Sequence, residues 1–214
     1  MKNIIFSLIA LLVFQGTALA QFIAEAQSIH ICAIRVEFQE DDNELTTGDG
    51  TFMIDTVTTD SFAIDPAPHN RQYFQDQIQA AANYFNNVSN GNVVITGDVF
   101  PRDDTSAYQL PEEMGYYNPN TTEAEINSGI ARLFIDAVQA ADADDDIIFE
   151  NYDLVIIFHA GVGRDIAFDY DPTPQDISSL YVTLDFMQKW ISGAVQGAPA
   201  DLSLIHISEP TRPY

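Results

Sequence analysis

The sequence predicts an α/β domain in which helices pack on a mixed, twisted sheet. Residues 154–158 are five apolar residues in a row that run into Gly161 and Gly163, a pattern typical of a strand buried on both faces. Residues 70–88 and 123–141 each repeat apolar residues at helical spacing. The predicted elements alternate as strand, helix, strand, helix, strand, which is the order of an α/β sheet.

The first half of the chain contains two predicted strands and one helix. Residues 29–38 form the first strand, in which Arg35 and Glu37 alternate with apolar residues and predict a half-buried second half. Residues 39–68 are predicted to be a long loop or loose hairpin with a β-like patch at 51–57. Asn70 can cap the helix that follows, and Asn90-Gly91 can end it. Its predicted core stripe is Phe74, Ile78, Ala81, Phe85 and Val88.

Further along, residues 92–100 are a predicted strand and 108–120 a polar loop. Thr122 and Glu125 have the spacing of a capping box at the start of the second helix. Residues 180–184 are a short predicted strand and 185–195 a predicted helix. The predicted buried face of the second helix is Ile126, Ile130, Leu133, Phe134, Ala137, Val138 and Ala141.

Residues 1–20 have the pattern of a secretory signal peptide. Lys2 is followed by the apolar stretch 4–14, and residues 17–20 offer a small-x-small cleavage site before Gln21. A transmembrane anchor is the alternative, but the apolar run is shorter than the roughly 18 residues that span a bilayer. We expect a secreted, extracellular domain over residues 21–201, with no stable membrane insertion.

The net charge of the 214-residue chain limits the classes of partner that it can bind. Thirty-two Asp and Glu against eight Lys and Arg give a formal net charge of −24. This field repels phosphate backbones, so we expect no nucleic-acid partner. It favours hard cations such as Ca²⁺, which bind several carboxylate oxygens. A solvated acidic surface would explain most of the same charge.

The acidic segment before the apolar strand is the candidate calcium site. The proposed ligands are Asp142, Asp144, Asp146 and Asp153, with Asp145 in the same cluster. Alternating carboxylates in a loop can converge on one cation, but the segment lacks the glycine and glutamate spacing of an EF-hand. A solvated acidic turn is the alternative.

Few other residues are candidates for catalysis or metal binding. None of His30, His69 and His159 lies four residues from another, and no His-Glu-x-x-His is present, so no zinc-binding helix can be built. We expect His30 to be structural, His69 to be exposed, and His159 to be a hydrogen-bonded structural residue in preference to a ligand. Cys32 is expected to be a buried, inert thiol. No catalytic residue is assigned.

The last residues have an unusual pattern. Residues 202–212, LSLIHISEPTR, resemble the translation of a transposon-end sequencing adapter. We therefore expect residues 202–214 to be adapter-derived and the natural sequence to continue differently after about Asp201. An ordinary strand with a Pro-rich tail is the alternative.

Several segments together resemble the start of the catalytic domain of the immune-inhibitor-A-like secreted zinc metallopeptidases. They cover most of residues 29–184 and keep the order and spacing of the family's pieces. They are IRVEFQE at 34–40, AANYFNNVSNGNVVITGDVFP at 81–101, MGYYNPN at 114–120, NYDLVIIFHAGVGRD at 151–165 and DIS at 176–178.

The resemblance implies an incomplete zincin-like upper subdomain, the N-terminal part of an endopeptidase that hydrolyses extracellular proteins or peptides. Family members carry a zinc-binding His-Glu-x-x-His helix downstream of the His-Ala-Gly stretch, which this sequence does not contain. No zinc ligand or general base is therefore assigned, and the chain itself is expected to be inactive. A secreted, non-enzymatic binding or adhesion module stabilised by calcium is the alternative function, and an inactive homologue is a third.

Overall fold

A computed structural model describes residues 26–55, 66–165 and 172–190 and the backbone of Ser203–Glu209. Within these residues the strands form one sheet in the order β2-β1-β4-β6-β5, with β3 pairing β1. The strands are β1 (Gln27–Glu37), β2 (Val93–Phe100), β3 (Tyr108–Gln109), β4 (Leu154–Val162), β5 (Leu180–Val182) and β6 (Ser203–Glu209).

The sheet is mostly parallel. β1 pairs in parallel with β2, β3 and β4, and β4 pairs in parallel with β6. β5 is antiparallel to β6. Helices separate the parallel strands along the chain, so the predicted α/β class with a mixed sheet is confirmed.

The described helices are α1 (Arg71–Val88), the short α2 (Met114–Tyr117), α3 (Glu123–Asp142) and α4 (Leu184–Trp190). The two long helices, α1 and α3, begin and end close to where their local signals predict. Asn70 caps α1 by accepting the main-chain N–H of Tyr73 at 3.1 Å. Thr122 and Glu125 form the predicted capping box of α3. Asn90 and Gly91, both in the left-handed region, follow the end of α1.

The sheet has one helix-bearing core on each face, because successive side chains of a strand point to opposite sides. On one face, Ile34 of β1 belongs to the same buried cluster as Leu133 and Phe134 of α3. On the other face, Ile31 of β1 is clustered with Phe74 and Ile78 of α1.

The predicted burial of four residues is wrong. Arg35 is fully buried, because its guanidinium donates to main-chain carbonyl oxygens of the loop after β2. His69 is also buried, with its main-chain N–H bonded to the Met53 oxygen at 2.8 Å and its ring 4.8 Å from that of Tyr73. Conversely, Phe85 and Val88 of the predicted α1 core stripe are exposed, since no described segment forms a second layer over the last turns of α1.

Several predicted boundaries also change. The predicted polar loop 108–120 contains β3 and α2, and the described part of the 51–57 patch contains no strand. The signal peptide and residues 191–195 of the last predicted helix lie outside the described residues. Residues 203–209 form β6 against β4, and the unpaired edge of a sheet can accept an added apolar segment whatever its origin.

Candidate functional site

The strand β4 does not stop at Phe158, where the apolar run ends, but continues through His159 to Val162. Its register against β6 shifts between His159 and Val162, which marks a bulge. Gly161 has a φ of 89°, in the region that favours glycine. The glycine therefore permits a bulge within the strand, which runs three residues beyond His159, its predicted last residue.

Three segments meet at Gly161. A Cβ built on Gly161 would overlap the Cε atom of Met114 in α2 and would lie 3.1 Å from the main-chain oxygen of Thr47. The loop after β1, the short helix α2 and the end of β4 thus pack so closely that a side chain at this position would have to displace the Met114 methyl group.

His159 is part of the core at this end of β4. Its ring is fully buried, 5.8 Å from the ring of Phe38, and its Nδ1 lies 2.7 Å from the Ala160 carbonyl oxygen. Burial lowers the pKa of His159 to about 4, against the opposing effects of the Ala160 and Ile177 main chain and the charge of Asp165. The imidazole is therefore neutral near pH 7, and the buried, hydrogen-bonded state is the one that the sequence predicted.

The buried carboxylate of Asp176 is hydrogen-bonded to the loop after β1, and the main-chain oxygen of the same residue is bonded to the segment after α2. Asp176 accepts the main-chain N–H of Thr47 at 2.6 Å and its hydroxyl at 2.7 Å. Asn118, just after α2, donates to the main-chain oxygen of Asp176 at 2.7 Å. Asp176 therefore holds the loop after β1 and the segment after α2 together, while the hydroxyl of Ser178, two residues further along, donates to the Arg164 main-chain oxygen.

A cavity of about 260 Å³ lies beside these loops, between α3 and α4. Its wall includes Ile126, Ile130 and Phe186, and its polar side includes Arg164 and Ser178. Arg164 donates to the Pro174 oxygen at 2.9 Å, while the Ser178 hydroxyl donates to the Arg164 oxygen at 3.0 Å. Both polar groups thus have a structural role in joining the loop after β4 to the segment before β5.

Three of the four predicted calcium ligands have protein partners in the structure. Asp144 accepts the hydroxyl of Tyr108, and this hydrogen bond lowers the pKa of its carboxyl. The carboxylate of Asp146 lies 3.8 Å from the guanidinium of Arg102. Asp153 accepts the main-chain N–H of His30 at 2.8 Å and so closes the start of the β1–β4 pairing.

Asp142 is the last residue of α3. Among the described residues, no group of three or more His, Cys, Asp or Glu side chains is arranged to hold a metal ion. Calcium at Asp142, Asp144, Asp146 and Asp153 stays a prediction that this arrangement does not test.

Sequence reasoning missed a polar cluster at the β1–β2 edge. The Nε2 atom of His30 lies 3.4 Å from Asp98 Oδ2, and the Tyr152 hydroxyl donates to the same oxygen at 3.0 Å. The other carboxylate oxygen lies 3.7 Å from Arg102. Alternation on two strands could have placed His30 and Asp98 on one face, but the pairing of β1 with β2 is needed to make them neighbours.

Cys32 lies next to Asp98 in the register of β1 against β2. It is fully buried, and burial, followed by the charge of Asp98, raises the pKa of the thiol to about 12. The thiolate is the reactive form of cysteine. The expectation that the thiol is buried is therefore confirmed, and its inertness stays a prediction.

Comparison of the chain with models of known protein families and with curated proteins finds no match. Within the described ranges, none of the helices combines the length and apolar character needed to cross a bilayer.

Proposed function

We propose that this chain is the sheet-forming, N-terminal part of the catalytic domain of a secreted zinc-dependent endopeptidase that acts on extracellular proteins. In this proposal the sheet with α1 and α3 is a zincin-like upper subdomain, and a further segment of the parent polypeptide supplies the catalytic centre. One observation supports it above all: the separate segments that resemble the immune-inhibitor-A-like peptidases are neighbours in space.

The strands account for most of this contact. IRVEFQE begins on β1, and β1 pairs directly with the strands of two other resembling segments, β2 and β4. The segment 81–101 comprises the end of α1, the Asn90-Gly91 turn and all of β2. A unit in which three resembling segments share one sheet is what a common subdomain requires.

The two remaining segments pack against the same unit. MGYYNPN contributes Met114, which contacts the Gly161 bulge of the His-Ala-Gly stretch. It also contributes Asn118, which donates to Asp176 in the DIS segment. The five segments that carry the resemblance thus form one connected region in the structure.

The described residues do not fit a zinc centre. His30 is paired with Asp98, and His159 is a neutral core residue bonded to the main chain. The described residues provide no three-ligand group, and no His-Glu-x-x-His occurs in the 214 residues. Zinc chemistry in the proposal therefore belongs to sequence beyond this chain, and none of its steps is assigned to residues here.

The proposal predicts that the purified chain is inactive. Incubated with casein and added zinc, it should release no more peptide than a buffer control, with or without a chelator. Cleavage that zinc supports and a chelator abolishes would contradict the assignment of the catalytic centre to another segment.

A further inference from the structure

The strand β2 lies at an edge of the sheet, since among the described residues no strand pairs with its outer side. The main-chain N–H of Gln27 in β1 donates to the Asn92 oxygen at 2.7 Å, and this bond fixes which residues of β2 face β1. Every second residue therefore directs its main-chain N–H and C=O groups outward. These outward residues are Val93, Ile95, Gly97 and Val99.

Side chains of α1 occupy part of this outer edge. The Nε atom of Arg71 donates to the Val99 oxygen at 3.0 Å. One turn later, the Nε2 atom of Gln75 donates to the Gly97 oxygen at 3.1 Å. Two carbonyl oxygens that a neighbouring strand would use are thus already bonded to the helix that packs on the sheet.

The other end of the edge is bonded in the same way. Ser89, the residue that ends α1, accepts the main-chain N–H of Val93 on its hydroxyl oxygen at 2.9 Å. We propose that Arg71, Gln75 and Ser89 form an edge guard, a set of side chains that prevents β2 from pairing with a strand of another protein molecule. Their bonds take up the main-chain groups on which such pairing depends.

The close approach of α1 to this edge depends on Gly97. A Cβ built on Gly97 would lie 3.0 Å from the main-chain oxygen of Ile31 and 3.2 Å from the Cγ2 atom of Ile78 in α1. Because glycine has no such atom, Ile78 packs directly on the strand. This contact brings Gln75, on the preceding turn of the helix, within reach of the Gly97 oxygen.

The sequence of β2 explains why a guard is needed. Residues 93–97, VVITG, are mostly β-branched and contain neither a charge nor a proline. Segments with high β-propensity and low charge readily pair with strands of other molecules. Natural edge strands are commonly protected by a charge, a proline or a bulge, and the first charged residue of β2 is Asp98. Bonds from α1 therefore supply a protection that the strand itself lacks.

The same row of α1 side chains contains a matched control. Gln79 follows Gln75 by one turn, but its Nε2 atom donates to Asn83 Oδ1 at 3.0 Å and not to β2. For the purified full chain under native conditions, we expect Gln75→Ala to shorten the lag time of thioflavin T-positive aggregation at least about threefold, because the Gly97 oxygen becomes available to a partner strand. Gln79→Ala should leave the lag time unchanged.

Two further variants separate edge protection from stability. Tyr117→Phe weakens the core on the opposite face of the sheet and leaves the β2 edge intact. At an equal unfolded fraction, set with urea, it should therefore aggregate more slowly than Gln75→Ala. Thr96 is exposed on β2, and Thr96→Lys combined with Gln75→Ala should restore the wild-type lag time, because a charged edge strand disfavours pairing.

The proposal is overturned by an unchanged lag time in Gln75→Ala, by equal aggregation of Gln75→Ala and Tyr117→Phe at an equal unfolded fraction, or by failure of Thr96→Lys to restore the lag time. If Gln75→Ala does not fold, Ser89→Ala takes its place, because it frees the Val93 N–H at the far end of the edge. The same results are then expected, and the same results would contradict the guard. None of them bears on the proposed peptidase function, which rests on the resembling segments.

Discussion

The methyl group of Met114 occupies the space into which a side chain at position 161 would project, so any residue larger than glycine there would have to displace the Met114 side chain where α2 packs on the end of β4. The contact joins two segments that are far apart in the sequence. It also explains why the bulge of β4 contains a glycine at a positive φ. Loss of this contact should therefore weaken the whole junction of loops at the carboxyl end of the sheet.

Substitution of Gly161 by Ala should lower the free energy of unfolding by about 3 kcal/mol, because backbone strain and overpacking add. Gly48→Ala is the matched control. Gly48 has a similar φ of 84° but no atom within 4 Å of a built Cβ. Its loss should be about 1 kcal/mol, the backbone contribution alone. Urea denaturation of both variants measures the difference, and equal losses would show that Met114 does not constrain position 161.

Arg35 should be intolerant even of Lys. Its guanidinium donates to the carbonyl oxygens of Pro101, Asp103 and Asp104 at 3.1, 2.6 and 3.1 Å. A lysine cannot reproduce this planar fork and would place a buried ammonium with fewer hydrogen-bond partners at this position, so we expect a loss of about 2–4 kcal/mol in the free energy of unfolding.

Arg102→Lys provides the comparison for Arg35. Arg102 is half-exposed and meets its carboxylate partners at 3.7 and 3.8 Å, so its conservative substitution should change stability by less than about 0.5 kcal/mol. A similar small change at Arg35 would mean that the three carbonyl bonds contribute little.

The hydroxyl of Tyr117 should stabilise α3. It donates to Asp136 Oδ2 at 3.0 Å, and Asp136 is buried in the middle of that helix. Tyr117→Phe leaves the carboxylate with the guanidinium of Arg132 and should lower the free energy of unfolding by about 1–3 kcal/mol. Tyr116→Phe, at the exposed neighbour, should have almost no effect in the same thermal melts. If Tyr117→Phe leaves the free energy of unfolding unchanged, the proposed stabilising role of this hydrogen bond is contradicted.

His159 should make stability depend on pH. Burial lowers its pKa to about 4, whereas an unfolded chain has a histidine pKa of about 6.5, so the unfolded state binds the proton first as pH falls. The contribution of His159 to stability is therefore present above about pH 6.5 and is lost progressively toward pH 4, by about 3 kcal/mol in total.

The measurement for His159 is the difference in unfolding free energy between wild type and His159→Gln at several pH values. Carboxylates titrate in the same range in both proteins, and their effect cancels in the difference. We expect the advantage of the wild type to shrink as pH falls from 7 to 4. A difference that does not change with pH would contradict a neutral, buried imidazole.

The sequence predicted the elements that depend on local signals. The caps at Asn70 and Thr122 are local hydrogen bonds, and the strand at 154–158 is a continuous apolar run, so each could be read without knowledge of the fold. Arg35 was misjudged because its partners lie more than 60 residues away in the loop after β2. Alternation alone assigns such a residue to the exposed face.

The α1 stripe shows a second limit of sequence reasoning. Phe85 and Val88 have the spacing of core residues, but helical spacing shows only which side of the helix they occupy. Whether another layer covers that side depends on the rest of the fold. For the same reason the Met114–Gly161 contact and the His30–Asp98 pair required the pairing of strands to be known.

The central claim is that the chain is one part of a secreted zinc endopeptidase, and the genomic sequence after the codon for Asp201 tests it most directly. We predict that the reading frame continues there with sequence unlike residues 202–212 and reaches a His-Glu-x-x-His motif within about a hundred residues, on a helix that can hold zinc. An immediate stop codon, or a continuation into β-sandwich repeats without that motif, would contradict the claim and favour a binding module.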